Sequence, residues 1–130
     1  MSETLTKLLY VEDDDSIAQV VVITLEELGG FTVKHCDSGA KAIDSVVAYA
    51  PQLILMDVMM PRMSGPETLE QFSQMPAARD IPVIFMTAKA QTHEQEAYRA
   101  LGAIGVIVKP FDPMTLSDQI VALWQAHRAG

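Results

Sequence analysis

Short apolar runs alternate along the chain with segments of helical period, and this alternation restricts the possible folds more than any other feature. Short apolar runs of this kind are typical of strands that are covered on both faces of a parallel sheet. Helical segments between such runs are typical of repeated βα units, in which right-handed crossovers place helices on both faces. The sequence therefore predicts an α/β fold of type (βα)5, with strands at Leu8–Val11, Phe31–Cys36, Leu53–Asp57, Val83–Thr87 and Gly105–Val108.

The first helix is predicted to begin after an N-cap at Asp14 or Asp15, because a short carboxylate side chain accepts the unpaired amides of a first turn. Two glycines, Gly29 and Gly30, are predicted to end it. Helical spacing predicts one inward apolar stripe along this helix, at Ile17, Val21, Leu25 and Leu28.

Two later helices also carry start signals. Thr92 and Gln95 match the spacing of a capping box and predict the start of the fourth helix. Asp112, followed by Pro113, predicts the start of the last helix. The fourth helix has a thin apolar face, so little burial is expected to oppose its displacement; this face comprises Ala97, Ala100 and Leu101.

Polar residues stand where four of the predicted strands end. Glu12 and Asp13 follow the first strand, Asp57 closes the third, Thr87 the fourth and Lys109 the fifth. The carboxyl ends of parallel strands meet at one edge of a sheet, where open α/β proteins bind ligands. Three carboxylates, a hydroxyl and an ammonium at one edge predict magnesium-dependent phosphoryl transfer onto a carboxylate.

Each of these residues also has an ordinary structural interpretation. Glu12 and Asp13 could form a solvated acidic turn, and Asp57 could accept hydrogen bonds from loop amides. Lys109 could extend to the surface, and Thr87 is a normal strand residue. Against this, three carboxylates converging on one edge repel each other without a cation, and Mg²⁺ is usually held by one or two carboxylates and several waters.

Length and charge restrict the classes of function. The chain has 130 residues, which predicts a single domain over 1–130 with its core at about 7–127. A formal net charge of −8 argues against direct nucleic-acid binding and against attraction to an anionic membrane. The single cysteine, Cys36, cannot form an internal disulfide, and the N-terminus lacks the apolar core of a secretory leader. A cytoplasmic location is expected.

Four motifs occur in a fixed order: Val11–Asp14, Asp57–Gly65, Thr87–Ala88 and Lys109–Phe111. Together they resemble the receiver domains of bacterial two-component response regulators, and the resemblance extends from Leu8 to about His127. It implies a flavodoxin-like three-layer sandwich with a parallel five-stranded sheet of order 2-1-3-4-5. It also suggests a cis peptide bond between Lys109 and Pro110.

The resemblance also implies roles for the residues at the strand ends. Asp57 would be the phosphoacceptor. The cofactor would be Mg²⁺, bound directly by Asp13 and through water by Glu12, with Asp57 itself and the backbone carbonyl of Met59 completing the protein's ligands. The phosphoryl oxygens would be contacted by Lys109 and Thr87.

A switch mechanism follows from these roles. Thr87 is expected to turn toward the phosphoryl group and to draw the loop Ala88–Gln91 and the fourth helix with it. The family usually couples this threonine to an aromatic residue on the fifth strand, where this chain has Val106. An aromatic rotamer change therefore cannot report phosphorylation in this chain.

The function implied is a signalling switch rather than an enzyme, phosphorylated by a histidine kinase or a histidine phosphotransfer protein. Only Ala129 and Gly130 follow Arg128, so we expect the chain to act on a downstream protein partner or to be one domain of a longer protein with an attached output domain. A homodimer through the last two helices is a further possibility. No direct nucleic-acid or membrane partner is expected.

Two alternatives stay open. A phosphatase with an aspartyl-phosphate intermediate would share the nucleophilic aspartate, magnesium and lysine, but usually has a second catalytic aspartate where this chain has Met59. A pseudo-receiver or flavodoxin-like binding module would use the fold without phosphorylation. The intact set of strand-end residues argues against the second alternative.

Overall fold

A computed structural model describes residues 3–88 and 91–130 of the chain. The described residues form one parallel five-stranded sheet of order β2-β1-β3-β4-β5, as the sequence analysis expected. The strands are β1 Lys7–Val11, β2 Thr32–Cys36, β3 Leu53–Asp57, β4 Val83–Thr87 and β5 Gly105–Val108. The helices between and after them are α1 Asp15–Ile23, α2 Gly39–Tyr49, α3 Gly65–Ser73, α4 Thr92–Ala100 and α5 Leu116–Ala129.

Two apolar cores lie on opposite faces of the sheet, because successive side chains of a strand point to opposite sides. On one face, Leu8 and Tyr10 of β1 pack in the same core as residues of α1 and α5. On the other face, Leu9 and Val11 pack in the core that includes residues of α2 and α3. Every residue of β3 and β4 is buried, which explains why their sequences are continuous apolar runs.

The predicted apolar stripe of α1 is half correct. Val21 and Leu25 are fully buried, whereas Ile17 is 36% and Leu28 57% exposed. After Ile23 the helix widens into a π-helical turn over Thr24–Leu28. A π turn uses more residues than an α turn, so Leu28 is rotated away from the face on which Leu25 lies. Residue spacing alone did not reveal this change of period.

The predicted starts of the last two helices need correction. In α4 the N-cap is Gln91, whose backbone N–H donates to Glu94 at 3.1 Å, so the capping box lies one residue before the predicted one. Asp112 accepts from the backbone N–H of Met114 at 2.9 Å and caps a separate turn, and α5 itself begins only at Leu116.

Helix α4 is loosely anchored. None of its residues, Thr92–Ala100, is buried, and Leu101, which the sequence assigned to its apolar face, is 56% exposed. The main apolar contact is made by Tyr98, whose ring packs edge-on against Phe85 of β4 at 5.4 Å between centroids. The prediction of a thinly buried helix is therefore confirmed, although the contact residue is Tyr98 rather than the three predicted.

Candidate functional site

The carboxyl ends of β1 and β3 bring three carboxylates together. One oxygen from each of Glu12, Asp13 and Asp57 can be chosen so that all three lie within 4.8 Å of one another. Glu12 and Asp57 are buried, at 2% and 6% exposure, whereas Asp13 is exposed to solvent. The predicted convergence of these three residues is confirmed, and the cluster opens to water on the side of Asp13.

Lys109 reaches into this cluster from the end of β5. Its Nζ atom donates to Asp57 Oδ1 at 2.7 Å and to Glu12 Oε1 at 2.8 Å. The side chain is 18% exposed, so the lysine is directed into the acidic site and does not extend to the surface. The peptide bond between Lys109 and Pro110 is cis, as predicted.

Burial has the largest effect on the electrostatics of the cluster, and repulsion between the carboxylates adds to it. Burial raises the pKa of Glu12 and of Asp57, even though Lys109 acts in the opposite direction on both. Burial also works against the Lys109 ammonium, but its hydrogen bonds to Asp57 and Glu12 outweigh this and raise its pKa. One ammonium therefore does not fully compensate the carboxylates, and the site favours an additional cation.

The donor set suits a hard divalent cation. Carboxylate oxygens and water are the ligands that Mg²⁺ prefers, and it usually keeps several waters. Glu12, Asp13 and Asp57 supply carboxylate oxygens, and the exposed Asp13 gives the cluster access to water. The residues present therefore fit Mg²⁺.

Backbone hydrogen bonds fix the strand ends that carry these side chains. The amide of Glu12 donates to the carbonyl of Cys36 at 3.0 Å, and the amide of Lys109 donates to the carbonyl of Thr87 at 2.9 Å. Gly65, the first residue of α3, lies so close to the end of β3 that an added Cβ would be 2.5 Å from the carbonyl oxygen of Asp57. A glycine is therefore required for α3 to approach the site this closely.

Two further residues of the predicted site, Thr87 and Met59, lie at the end of β4 and in the loop after β3. Thr87 is 2% exposed and ends β4, the strand that pairs with β3 so that Asp57 is opposite Met86. Met59 lies in the loop after β3, and its side chain is 65% exposed. Lys89 and Ala90, within the loop that was predicted to move with Thr87, lie outside the described residues.

Sequence reasoning missed two residues that hold Glu12. The hydroxyl of Tyr10 donates to Glu12 Oε1 at 3.4 Å, and the ring nitrogen Nε2 of His35 is 2.8 Å from the backbone carbonyl oxygen of Glu12. In the sequence, Tyr10 and His35 stood out only as residues of the predicted strands Leu8–Val11 and Phe31–Cys36. The signal available in the sequence was that Tyr10 and Glu12 are two residues apart, which places their side chains on the same side of an extended chain.

The chain belongs to the family of response regulator receiver domains. The family model described as "Response regulator receiver domain" matches residues 8–121. The chain is similar to a chemotaxis response regulator, CheY4 of Vibrio cholerae. The match to that structure has a TM-score of 0.84 and 30% identity and covers 92% of this chain and 99% of the other.

Two curated relatives are named as transcriptional regulators. The probable transcriptional regulator ycf29 of Pyropia yezoensis is 36% identical over 110 residues, which are 85% of this chain and 49% of the relative. The alkaline phosphatase synthesis transcriptional regulatory protein PhoP of Bacillus subtilis is 30% identical over 117 residues, which are 90% of this chain and 48% of the relative. The chain thus spans about half the length of these relatives.

Membership of this family establishes the general class of function. Receiver domains are signalling switches rather than classical enzymes, bind Mg²⁺ at an acidic pocket, and interact with histidine kinases and output domains. In this chain the structure brings Glu12, Asp13 and Asp57 together in one acidic cluster. Within residues 3–88 and 91–130, no helix has the length and apolar character needed to cross a membrane.

Proposed function

We propose that this chain accepts a phosphoryl group on Asp57, with Mg²⁺, and passes the signal on through Thr87 and α4. The observation that carries the proposal is the position of Asp57, a buried carboxylate at the end of β3, 2.7 Å from the Lys109 ammonium and beside two further carboxylates. Asp13 binds the cation directly, Glu12 binds it through water, and Asp57 and the backbone carbonyl of Met59 complete the protein's ligands.

The reaction is a transfer between a phosphohistidine and a carboxylate. A carboxylate oxygen of Asp57 attacks phosphorus in line, the bond from phosphorus to the histidine nitrogen breaks, and the imidazole leaves with the electron pair. A Mg²⁺ ion held by these carboxylates would supply positive charge to offset the negative charge of the phosphoryl oxygens. Lys109 already lies against Asp57 and stabilises the charge that develops there. Water later hydrolyses the acyl phosphate and restores the carboxylate.

The two alternatives are less well supported. The phosphatase alternative would need a second aspartate near the nucleophile, and the position two residues after Asp57 holds an exposed methionine, Met59. The pseudo-receiver alternative would leave the ion pairs of Lys109 with Glu12 and Asp57 without a catalytic purpose. Family membership and the complete set of acidic and basic groups favour the phosphorylated switch.

A phosphodonor protein would find an apolar surface beside the site. Three residues of α1 on one exposed side, Ile17, Val20 and Ile23, are 36%, 53% and 60% exposed. Ile17 and Lys109 also line one small, mostly apolar pocket with Phe111. We propose that a histidine kinase or a histidine phosphotransfer protein docks on this surface, because its phosphohistidine would then be presented at the mouth of the acidic cluster.

Other expectations remain predictions. They are one receiver domain over 1–130, which the family match to residues 8–121 supports, and a cytoplasmic location. They also include a downstream partner or output domain, and a homodimer through α4 and α5. Trp124 of α5 is 4% exposed and belongs to the core, so it offers little to a partner.

The direct test of the proposed function uses a small phosphodonor. Incubation with acetyl phosphate and Mg²⁺ is expected to add one phosphoryl group to the protein, detected by intact-mass spectrometry. Replacing Mg²⁺ with a chelator is expected to abolish the mass increase, since crowded carboxylates repel the incoming phosphate without a cation. Absence of the adduct with Mg²⁺, or an equal amount of it with chelator, would contradict the proposal.

The role of Thr87 can be tested by amide hydrogen exchange on the beryllofluoride-bound protein. In the wild type, exchange is expected to change across Gln91–Leu101, because α4 has no buried residue to resist displacement, while β5 stays unchanged. Thr87→Ala is expected to bind beryllofluoride but to lose this response, and Thr87→Ser to keep most of it. Equal responses in the wild type and Thr87→Ala would show that the hydroxyl does not carry the signal.

A further inference from the structure

We propose that Tyr10 is a positioning residue whose hydroxyl group holds the Glu12 carboxylate in the orientation that serves the cation. This inference rests on the function proposed above. Tyr10 and Glu12 are two residues apart, so their side chains lie on the same side of the chain. The Tyr10 hydroxyl lies 3.4 Å from Glu12 Oε1, and the tyrosine is fully buried. A buried tyrosine hydroxyl usually finds a hydrogen-bond partner, and here that partner is a residue of the acidic cluster.

The same carboxylate oxygen is shared with Lys109, whose Nζ atom is 2.8 Å from Glu12 Oε1. A cation beside Glu12 repels the ammonium, and a phosphoryl group on Asp57 attracts it, so both steps of the cycle draw Lys109 away from Glu12. Among residues 3–88 and 91–130, the donors that then remain are the Tyr10 hydroxyl on Oε1 and the backbone amide of Asp14, which is 3.3 Å from Oε2. Each oxygen of Glu12 keeps one fixed donor when Lys109 turns to the phosphoryl group.

The position of the hydroxyl is itself fixed by the neighbouring strand. The rings of Tyr10 and His35 lie 5.7 Å apart between centroids, and these two residues are paired in the register of β1 and β2. His35 Nε2 also lies 2.8 Å from the backbone carbonyl oxygen of Glu12. One pair of aromatic residues therefore holds both the side chain and the backbone of Glu12. Such outer contacts of metal-binding carboxylates orient the ligand before the metal arrives.

An ordinary core role for Tyr10 makes a different prediction. If the ring only fills the core between β1 and α1, deletion of the hydroxyl leaves the affinity for Mg²⁺ unchanged. Tyr49 provides a matched control in this chain. Its hydroxyl donates to the backbone carbonyl of Thr32 at 3.3 Å, at the opposite edge of the sheet from the acidic cluster.

The experiment measures the Mg²⁺ dissociation constant of the unphosphorylated protein by isothermal titration calorimetry. Tyr10→Phe is expected to weaken binding about 3- to 10-fold. Loss of a hydrogen-bond partner of a metal-binding side chain typically weakens metal affinity roughly 10- to 100-fold. We expect an effect at or below the lower end of that range, because a 3.4 Å hydrogen bond is long. Tyr49→Phe is expected to bind as the wild type does. Thermal unfolding with chelator checks that both variants are folded. We expect them to fold because phenylalanine has nearly the same shape as tyrosine.

A double-mutant cycle shows whether Tyr10 acts through Glu12. In a Glu12→Gln background, Tyr10→Phe is expected to change Mg²⁺ affinity much less than in the wild type, because the carboxylate that it orients is gone. An unchanged dissociation constant in Tyr10→Phe, or an equal effect in both backgrounds, would overturn the inference while leaving the phosphoryl-acceptor function intact. Failure of the wild type to bind Mg²⁺ or to become phosphorylated would overturn both.

Discussion

Asp57→Asn is expected to abolish phosphorylation by acetyl phosphate and, without divalent cations, to make the protein more stable. An amide oxygen is too weak a nucleophile to replace the carboxylate. Burial raises the pKa of Asp57 above its ordinary value of 3.8, so the folded protein disfavours the ionised carboxylate. The free energy of unfolding therefore falls as the pH rises from 3.8 through the raised pKa of the folded protein. A neutral asparagine removes this penalty. The expected result at pH 7 is therefore a higher free energy of unfolding for Asp57→Asn than for the wild type.

Intact-mass spectrometry and urea unfolding with chelator measure the two effects. Asp44→Asn, a change at an exposed carboxylate on α2, is the matched control and should be phosphorylated as the wild type is. An adduct at the wild-type level in Asp57→Asn would move the acceptor to another residue. A loss of stability in Asp57→Asn would mean that the ion pair with Lys109 outweighs the burial of the carboxylate.

The strands and the polar residues at their ends could be predicted from the sequence because each signal is local and repeated. Every central strand is an apolar run that ends in a polar residue or is followed by one, and parallel topology then brings those ends to one edge. This was sufficient to predict that Asp57 and Lys109 lie at the same edge of the sheet, but not that the lysine turns toward the aspartate. The order of the strands did not follow from periodicity; the family resemblance supplied it, and the structure confirms it.

The errors occurred where a single contact decides between near-equal alternatives. The π-helical turn after Ile23 includes Thr24, whose hydroxyl bonds the carbonyl of Val20 at 2.8 Å, and nothing in the apolar pattern indicates it. Gln91 with Glu94 and Thr92 with Gln95 both have the spacing of a capping box, so the sequence offers two starts for α4 that differ by one residue. The contact of Tyr10 with Glu12 depends on side-chain geometry between neighbours, which a strand pattern does not specify.

Lys109→Ala is expected to lower the free energy of unfolding by about 2 to 3 kcal/mol in the absence of Mg²⁺. The change leaves Glu12 and Asp57 as buried carboxylates without their shared ammonium, to which they are bonded at 2.8 and 2.7 Å. The pKa of Lys109 is raised from 10.5, so its stabilising charge is fully present at pH 7, where urea unfolding would be measured. The expected loss is smaller than for a fully buried pair because Lys109 is partly exposed.

Lys41 is the matched control, because its ion pair with Asp37 lies on the surface, with side chains 66% and 45% exposed. Removing it by Lys41→Ala is expected to cost less than about 1 kcal/mol. An equal loss in both variants would show that the acidic cluster places no special demand on its lysine.

Lys109 and Mg²⁺ neutralise the same carboxylates, so each should matter most when the other is absent. Mg²⁺ stabilises the folded protein by an amount that rises with the logarithm of its concentration divided by its dissociation constant. We expect that constant to be lower, and the stabilisation larger, without a competing ammonium at Glu12. Saturating Mg²⁺ is therefore expected to reduce the difference in the free energy of unfolding between the wild type and Lys109→Ala. Phosphorylation of the variant is expected to stay slower than that of the wild type even with Mg²⁺, because Lys109 also stabilises the transferring group. If Mg²⁺ leaves the difference in the free energy of unfolding unchanged, the cation and Lys109 do not neutralise the same carboxylates.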